Sequence, residues 1–165
     1  MLFASVENRK IKILGYKLLS DYDYSVWVDG KIVIKNSITD YINQYGGSCP
    51  ILCFNHYSNN CVYEEYELCG KMKKDSIDVM RKQIDRYRQE GYPENHGMVD
   101  SCVLVRELHD DKLNQVMDTW WNEVRNESFR DQLSFNYSFW KNDFVYDTVP
   151  LFVYMNDYFT TRDHL

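Results

Sequence analysis

Apolar positions fall in blocks along the chain, and the blocks switch between the spacing of a strand and that of a helix. Residues 24–35, YSVWVDGKIVIK, carry two short apolar runs around Asp29-Gly30 and predict two strands. Asp-Gly between such runs is a strong signal for a type I′ hairpin. Ser37 predicts the cap of a short helix carrying Ile38, Tyr41 and Ile42, which Gly46-Gly47 ends. PILCF (50–54) reads as a buried strand, and 61–73 as a helix with Val62, Tyr66 and Cys69 on one side. The next helix starts at Asp75 or Ser76, repeats Ile77, Met80, Ile84 and Tyr87, and stops at Gly91 and Pro93. The loop GYPENHGMVD leads into a strand, SCVLVRE (101–107). Residues 111–125 form an amphipathic helix with Leu113, Val116, Met117, Trp120 and Val124. Residues 130–140 read as a helix with Leu133 and Trp140 inward, and 150–155 as a last strand. Strands alternating with helices predict an α/β fold, and in open α/β sheets ligands sit beyond the carboxyl ends of the strands.

The 165 residues suit one domain spanning 1–165, with 44% hydrophobic and 27% charged residues as in a globular protein. The net charge is −6 and no run of Lys and Arg forms a stripe, so nucleic-acid binding is not expected. An acidic protein that handles anionic ligands must gather its positive charge locally. Aromatic residues reach 16%, with 14 Tyr, and suit core edges and sugar-stacking walls alike. The five cysteines, an odd number without CxxC spacing, complete no zinc pattern with the four histidines. They predict reduced, buried thiols and a cytoplasmic protein. No apolar stretch approaches the roughly 18 residues of a membrane span, and the N-terminus, MLFASVENRKIKIL, lacks a long apolar leader core.

The candidate chemistry begins at Asp29, which follows Val26-Trp27-Val28. A carboxylate there can hold Mg²⁺ or Mn²⁺, and the metal a diphosphate; a plain hairpin turn explains the same residues. Arg130-Asp131-Gln132 offers a carboxylate–amide pair able to grip sugar hydroxyls, although Asp131 equally suits the first turn of a helix. His56 follows the strand PILCF, where a lone histidine is more often structural than catalytic. Asn95-His96-Gly97 is a polar loop before a strand, either a turn or a source of backbone and amide contacts to a sugar.

Four segments in order resemble one pattern: YDYSVWVDG (22–30), FNHYSNNCVYEE (54–65), QIDRYRQEGYPENHGMVDSCVLVRE (83–107) and WWNEVRNESFRDQLSFNY (120–137). They are similar to the glycosyltransferase family once catalogued as domain of unknown function 616. That family includes bacterial capsule- and polysaccharide-cluster proteins and plant cell-wall proteins related to a galacturonosyltransferase of pectin. The resemblance runs from about residue 8 to the C-terminus, and WWNEV…RDQLSF is its most specific part. It implies a GT-A-like, Rossmann-like mixed sheet flanked by helices, a UDP-linked sugar donor, a glycan acceptor, and Mn²⁺ or Mg²⁺. By match to the motif, Asp29 takes the place of the metal-side carboxylate. Asn95, Gly97 and Asp100 match the loop of the donor-sugar pocket, and Asp131 and Gln132 the catalytic pair beside donor and acceptor. His56 and Arg130 fall in matched segments as substrate-binding candidates, and His164 stands where many such enzymes carry a late histidine ligand.

Three departures qualify the resemblance. The usual Asp-x-Asp is here Asp29-Gly30-Lys31, with one carboxylate and a lysine able to neutralise phosphate itself. Where relatives often carry Arg soon after the histidine, this chain has Ser58-Asn59-Asn60. About twenty residues precede the YDYS segment, where the family's first strand and base pocket normally lie, so the chain reads as an N-terminally shortened domain. The expectations are therefore one pocket holding Asp29, Asn95 and Asp131, and a donor site that is weak alone or completed by a homodimer or partner chain. The alternative is a glycan-binding or assembly module derived from such an enzyme.

Overall fold

The computed structural model describes residues 2–162. Its centre is β4 (Val99–Glu107), buried at every position except the last. On one side β4 pairs antiparallel with β1 (Tyr24–Val28), on the other with β3 (Ile51–Asn55), which pairs in parallel with β5 (Asp147–Val149). The order β1-β4-β3-β5 makes a mixed sheet in which β1, β3 and β5 run the same way and β4 runs against them. The apolar run of β3 splits by the two-residue pleat: Ile51 and Cys53 face one core, Leu52 and Phe54 the other.

Helices cover both faces. On the first lie α1 (Leu2–Leu14), α5 (Asp111–Asn126) and α6 (Asp131–Lys141), with Ile13, Trp120 and Phe135 in the shared core. On the second lies α2 (Ile38–Tyr45) with a two-stranded sheet, β2 (Ile32–Ile34) and β6 (Phe159–Thr161); Tyr41, Phe54 and Phe159 cluster there. A third core joins α3 (Val62–Lys71) and α4 (Ile77–Gln89) to α6 through Leu133 and Tyr137. This α/β arrangement, a mixed sheet flanked by helices, is the class that the alternating pattern predicts.

The local signals act as expected at several ends. Ser37 accepts from the Asp40 N–H at 3.2 Å and Asp110 from the Leu113 N–H at 2.7 Å, each capping a helix. Asp75, before α4, accepts from the Ser128 hydroxyl at 2.6 Å and the Phe129 N–H at 3.2 Å, tying down the loop ahead of α6. Gly91 takes φ +82° after α4, the left-handed conformation that ends helices.

Three expectations change. Asp29-Gly30 turns no hairpin: the Ile32 N–H closes a tight turn onto the Asp29 carbonyl at 2.8 Å, but β1 and β2 belong to different sheets. A type I′ turn needs positive φ at both central residues, and neither Asp29 nor Gly30 has it. The long, buried β4 takes β1, while β2 buries Ile32 in the second core. Residues 150–155 are irregular, because Pro150 has no N–H to extend the β5 ladder; the strand pairing falls at 159–161 instead. The residues ahead of β1 form α1, an element that the apolar pattern does not reveal.

Candidate functional site

The site lies beyond the carboxyl end of β1. The pairing of β4 shifts there: Cys53 faces Leu104, yet Phe54 faces Asp100, so residues 101–103 bulge away from β3. Bulges bend a strand and re-aim its side chains. Here the bulge brings Asp100 and Ser101 to the mouth of the sheet, beside Asp29 at the end of β1 and Asp131 at the first turn of α6.

α1 enters this space from the open side. The buried guanidinium of Arg106 donates to the Lys12 carbonyl at 2.7 Å and the Ile13 carbonyl at 3.1 Å, satisfying the free end of α1. Burial lowers the Arg106 pKa to about 10, which still leaves it charged at neutral pH. With α1 so fixed, the buried Lys12 ammonium donates to Asp131 Oδ2 at 2.6 Å and to Ser101 Oγ at 2.8 Å. The Ser101 hydroxyl donates to the same carboxylate oxygen at 3.2 Å. Lys12 also stands 3.8 Å from Asp29 Oδ1, and Arg9 Nε 3.7 Å from Asp131 Oδ1.

Each carboxylate is held differently. Burial opposes ionisation of Asp131, but Lys12 and Arg9 outweigh it and bring its pKa down to about 2. Its backbone carbonyl accepts from the Trp120 indole at 2.9 Å, so the conspicuous tryptophan of the 120–137 segment seats the start of α6. Asp100 accepts from the Tyr154 hydroxyl and from the Cys102 N–H at 3.2 Å. Asp29 is more open: its side chain is 34% exposed, and Oδ1 accepts from the Trp27 indole at 2.7 Å, while Oδ2 has no partner among the described residues.

These groups line a cleft of about 220 Å³. It adjoins a second hollow of about 400 Å³, and the two share Arg9, Lys12, Asp29 and Lys31. Their size suits a small-molecule site, about 300–1,000 Å³. Of the residues singled out from sequence, Asp29, Lys31, Asp100, Arg130, Asp131 and Gln132 meet here. His56, Asn95 and Gly97 do not line this cleft. His56 Nδ1 accepts from the Asn59 N–H at 3.0 Å and shapes the turn after β3. Asn95 and Gly97 have φ +54° and +85° and form the tight approach to β4, with Gly97 against Asn136 and Tyr146. His164 lies outside the described residues. Arg9, Lys12, Ser101, Cys102 and Tyr154 are the cleft residues that sequence reasoning missed; Arg9 and Lys12, three apart, give one helical face a paired charge.

The donor set is poor for a divalent ion: Mg²⁺ is held by one or two carboxylates together with waters and phosphate oxygens, and here the Lys12 ammonium fills the space between Asp29 and Asp131. Asp131 Oδ2 is bound to an ammonium and a hydroxyl, Asp100 to a phenol and a backbone N–H, and among the three carboxylates only Asp29 Oδ2 and Asp131 Oδ1, the latter 3.7 Å from Arg9, accept no hydrogen bond from the described residues. Among the described residues no group of three or more His, Cys, Asp or Glu is placed to hold a metal. No helix among them is long and apolar enough to cross a membrane. The five cysteines are free thiols.

A probable hexosyltransferase of Arabidopsis thaliana, MUCI70, is 29% identical over 143 residues, covering 78% of this chain. The chain spans 24% of that plant protein's length. No solved structure matches it. The TOD1/MUCI70 glycosyltransferase-like domain matches residues 5–162, so Arg9 and Lys12 of α1 lie inside the match along with every other cleft residue. On that near-complete match, the chain belongs to the TOD1/MUCI70 glycosyltransferase-like domain family.

Proposed function

We propose that this chain is a GT-A-like glycosyltransferase that moves a sugar from a UDP-linked donor to a hydroxyl of a glycan. The observation that carries the reading is the convergence of Asp29, Lys31, Asp100, Asp131 and Gln132, from distant parts of the sequence, on one cleft at a strand's carboxyl end. In the transfer, the bond from the anomeric carbon to the diphosphate breaks and its electron pair leaves on the diphosphate oxygen. The acceptor hydroxyl oxygen bonds to the anomeric carbon and loses its proton. Asp131, held near pKa 2, is a weak proton acceptor at neutral pH. Its part is to orient sugar hydroxyls with Gln132. The open Oδ2 of Asp29 is the better-placed acceptor for the hydroxyl proton.

The test is release of UDP from a panel of UDP-sugars by the purified chain, with and without added glycans. Asp29→Asn lowers turnover by a factor on the order of 10²–10⁴, the usual worth of a general base, with the fold intact by circular dichroism. A chain that binds and cleaves none of the donors, yet retains glycans on an affinity column, is instead a glycan-binding module.

A further inference from the structure

We propose that Arg9, Lys12 and Lys31 form a built-in cationic seat for the donor's diphosphate, replacing a divalent ion. The proposal rests on the reading of the cleft as a donor site. Lys12 is a fixed ammonium standing between two carboxylates, 2.6 Å from Asp131 and 3.8 Å from Asp29. Around it are donors with spare capacity. Arg9 Nε is buried without a hydrogen-bond partner, 3.7 Å from the nearest carboxylate oxygen. Lys31 touches only the Tyr154 hydroxyl, at 3.2 Å, and the face of that ring, at 4.5 Å; it has no carboxylate partner among the described residues.

These three side chains line both halves of the cleft, so an anion at their shared wall meets all of them. The leaving diphosphate gains negative charge as the sugar departs, and fixed cations aimed at it act without reorganisation. Arginine and lysine are the usual protein partners of phosphate oxygens. They supply that charge from a chain whose net charge is −6.

Calorimetry with UDP and with inorganic pyrophosphate, each in EDTA and again in excess Mn²⁺, tests this on the full chain. The expected result is binding of both probes in EDTA, with Kd unchanged by Mn²⁺. Arg9→Gln and Lys31→Gln, which leave the Lys12–Asp131 pair intact, each weaken both probes about tenfold, as loss of a charge-assisted contact does. Binding that appears only with Mn²⁺ overturns the seat and leaves the donor reading standing. Metal-free pyrophosphate binding without UDP binding keeps the seat and sinks the nucleotide reading. Binding of neither probe, or variants that bind as the parent does, overturns the proposal.

Discussion

Replacing Lys12 with Met tests whether the cleft is organised around one buried charge pair. The ammonium and the Asp131 carboxylate meet at 2.6 Å with both side chains 5% exposed. Removing the cation leaves the carboxylate buried with only Ser101 in contact and Arg9 at 3.7 Å. Breaking such a pair from one side costs about 3–5 kcal/mol, a large part of the roughly 5–15 kcal/mol that holds a domain together. The Asp131 carboxyl, held at about 2 against its ordinary 3.8, has the matching sign: its surroundings favour the ionised form despite burial.

The sign with pH follows. In the parent the folded carboxyl has the lower pKa, so its stabilisation is full above about 3.8 and is lost as pH falls toward 2. In Lys12→Met burial without the cation raises the carboxyl instead, and protonation relieves the penalty. The variant therefore loses most near neutrality and much less near pH 4. Urea unfolding of the parent, Lys12→Met, Asp131→Asn and the double variant measures the coupling, expected at about 2 kcal/mol or more at neutral pH. Additive losses within about 0.5 kcal/mol, or a Lys12→Met penalty that does not shrink in acid, would falsify the reasoning.

Other parts of the fold make sharper, simpler tests. A Cβ at Gly47 would overlap the Asp147 carboxylate, which accepts from the Cys49 N–H at 2.9 Å, so Gly47→Ala lowers stability by about 1–3 kcal/mol in a thermal or urea melt. Glu123 gathers Arg86 at 2.6 Å and the Tyr87 hydroxyl at 2.9 Å between α4 and α5; Glu123→Ala removes both contacts, leaves Arg86 with Glu90 and Tyr137 and the Tyr87 hydroxyl with Gln83, and costs about 1–2 kcal/mol by urea unfolding. Burial pushes the Cys69 thiol up to about 11 and raises those of Cys53 and Cys102, so a thiol reagent modifies Cys49 first and all five only after unfolding. Four fast thiols in the native protein would contradict that packing.

The sequence made some of this plain and concealed the rest for physical reasons. α4 and α5 repeat apolar residues at helical spacing and end on local signals, so their own residues disclose them. β3 and the bulk of β4 read as continuous apolar runs because both faces of the sheet are covered. The second sheet is different: Ile32 pairs with Thr161 across almost the whole chain, and no local pattern encodes that partner. α1 mixes charged and apolar residues, since its inward face includes Lys12, which a periodicity count scores as solvent-facing. The same asymmetry governs the site. Asp29, Asp100 and Asp131 stand at element ends, where position alone singles them out. Lys12 enters through contacts 89 and 119 residues away in sequence, which only the folded chain brings together.

The placement of α1 changes what the cleft can accept. Asp29, Asp100 and Asp131 alone would make a pocket of three carboxylates, and a diphosphate entering it would be repelled. Arg9 and Lys12, both on α1, reverse that field together with Lys31 and Arg130. They do so from a helix fastened at its last turn by Arg106 and packed along α5, so the charges are in position before any donor arrives. The stretch ahead of β1 thus supplies two of the cleft's four cationic side chains. A substitution that loosens α1 without touching the cleft, such as Arg106→Met, should therefore weaken pyrophosphate binding, while Arg106→Lys, which keeps a donor for the α1 carbonyls, should retain more of it. Equal binding by Arg106→Met and the parent would separate the anchoring of α1 from the chemistry of the site and refute this last step.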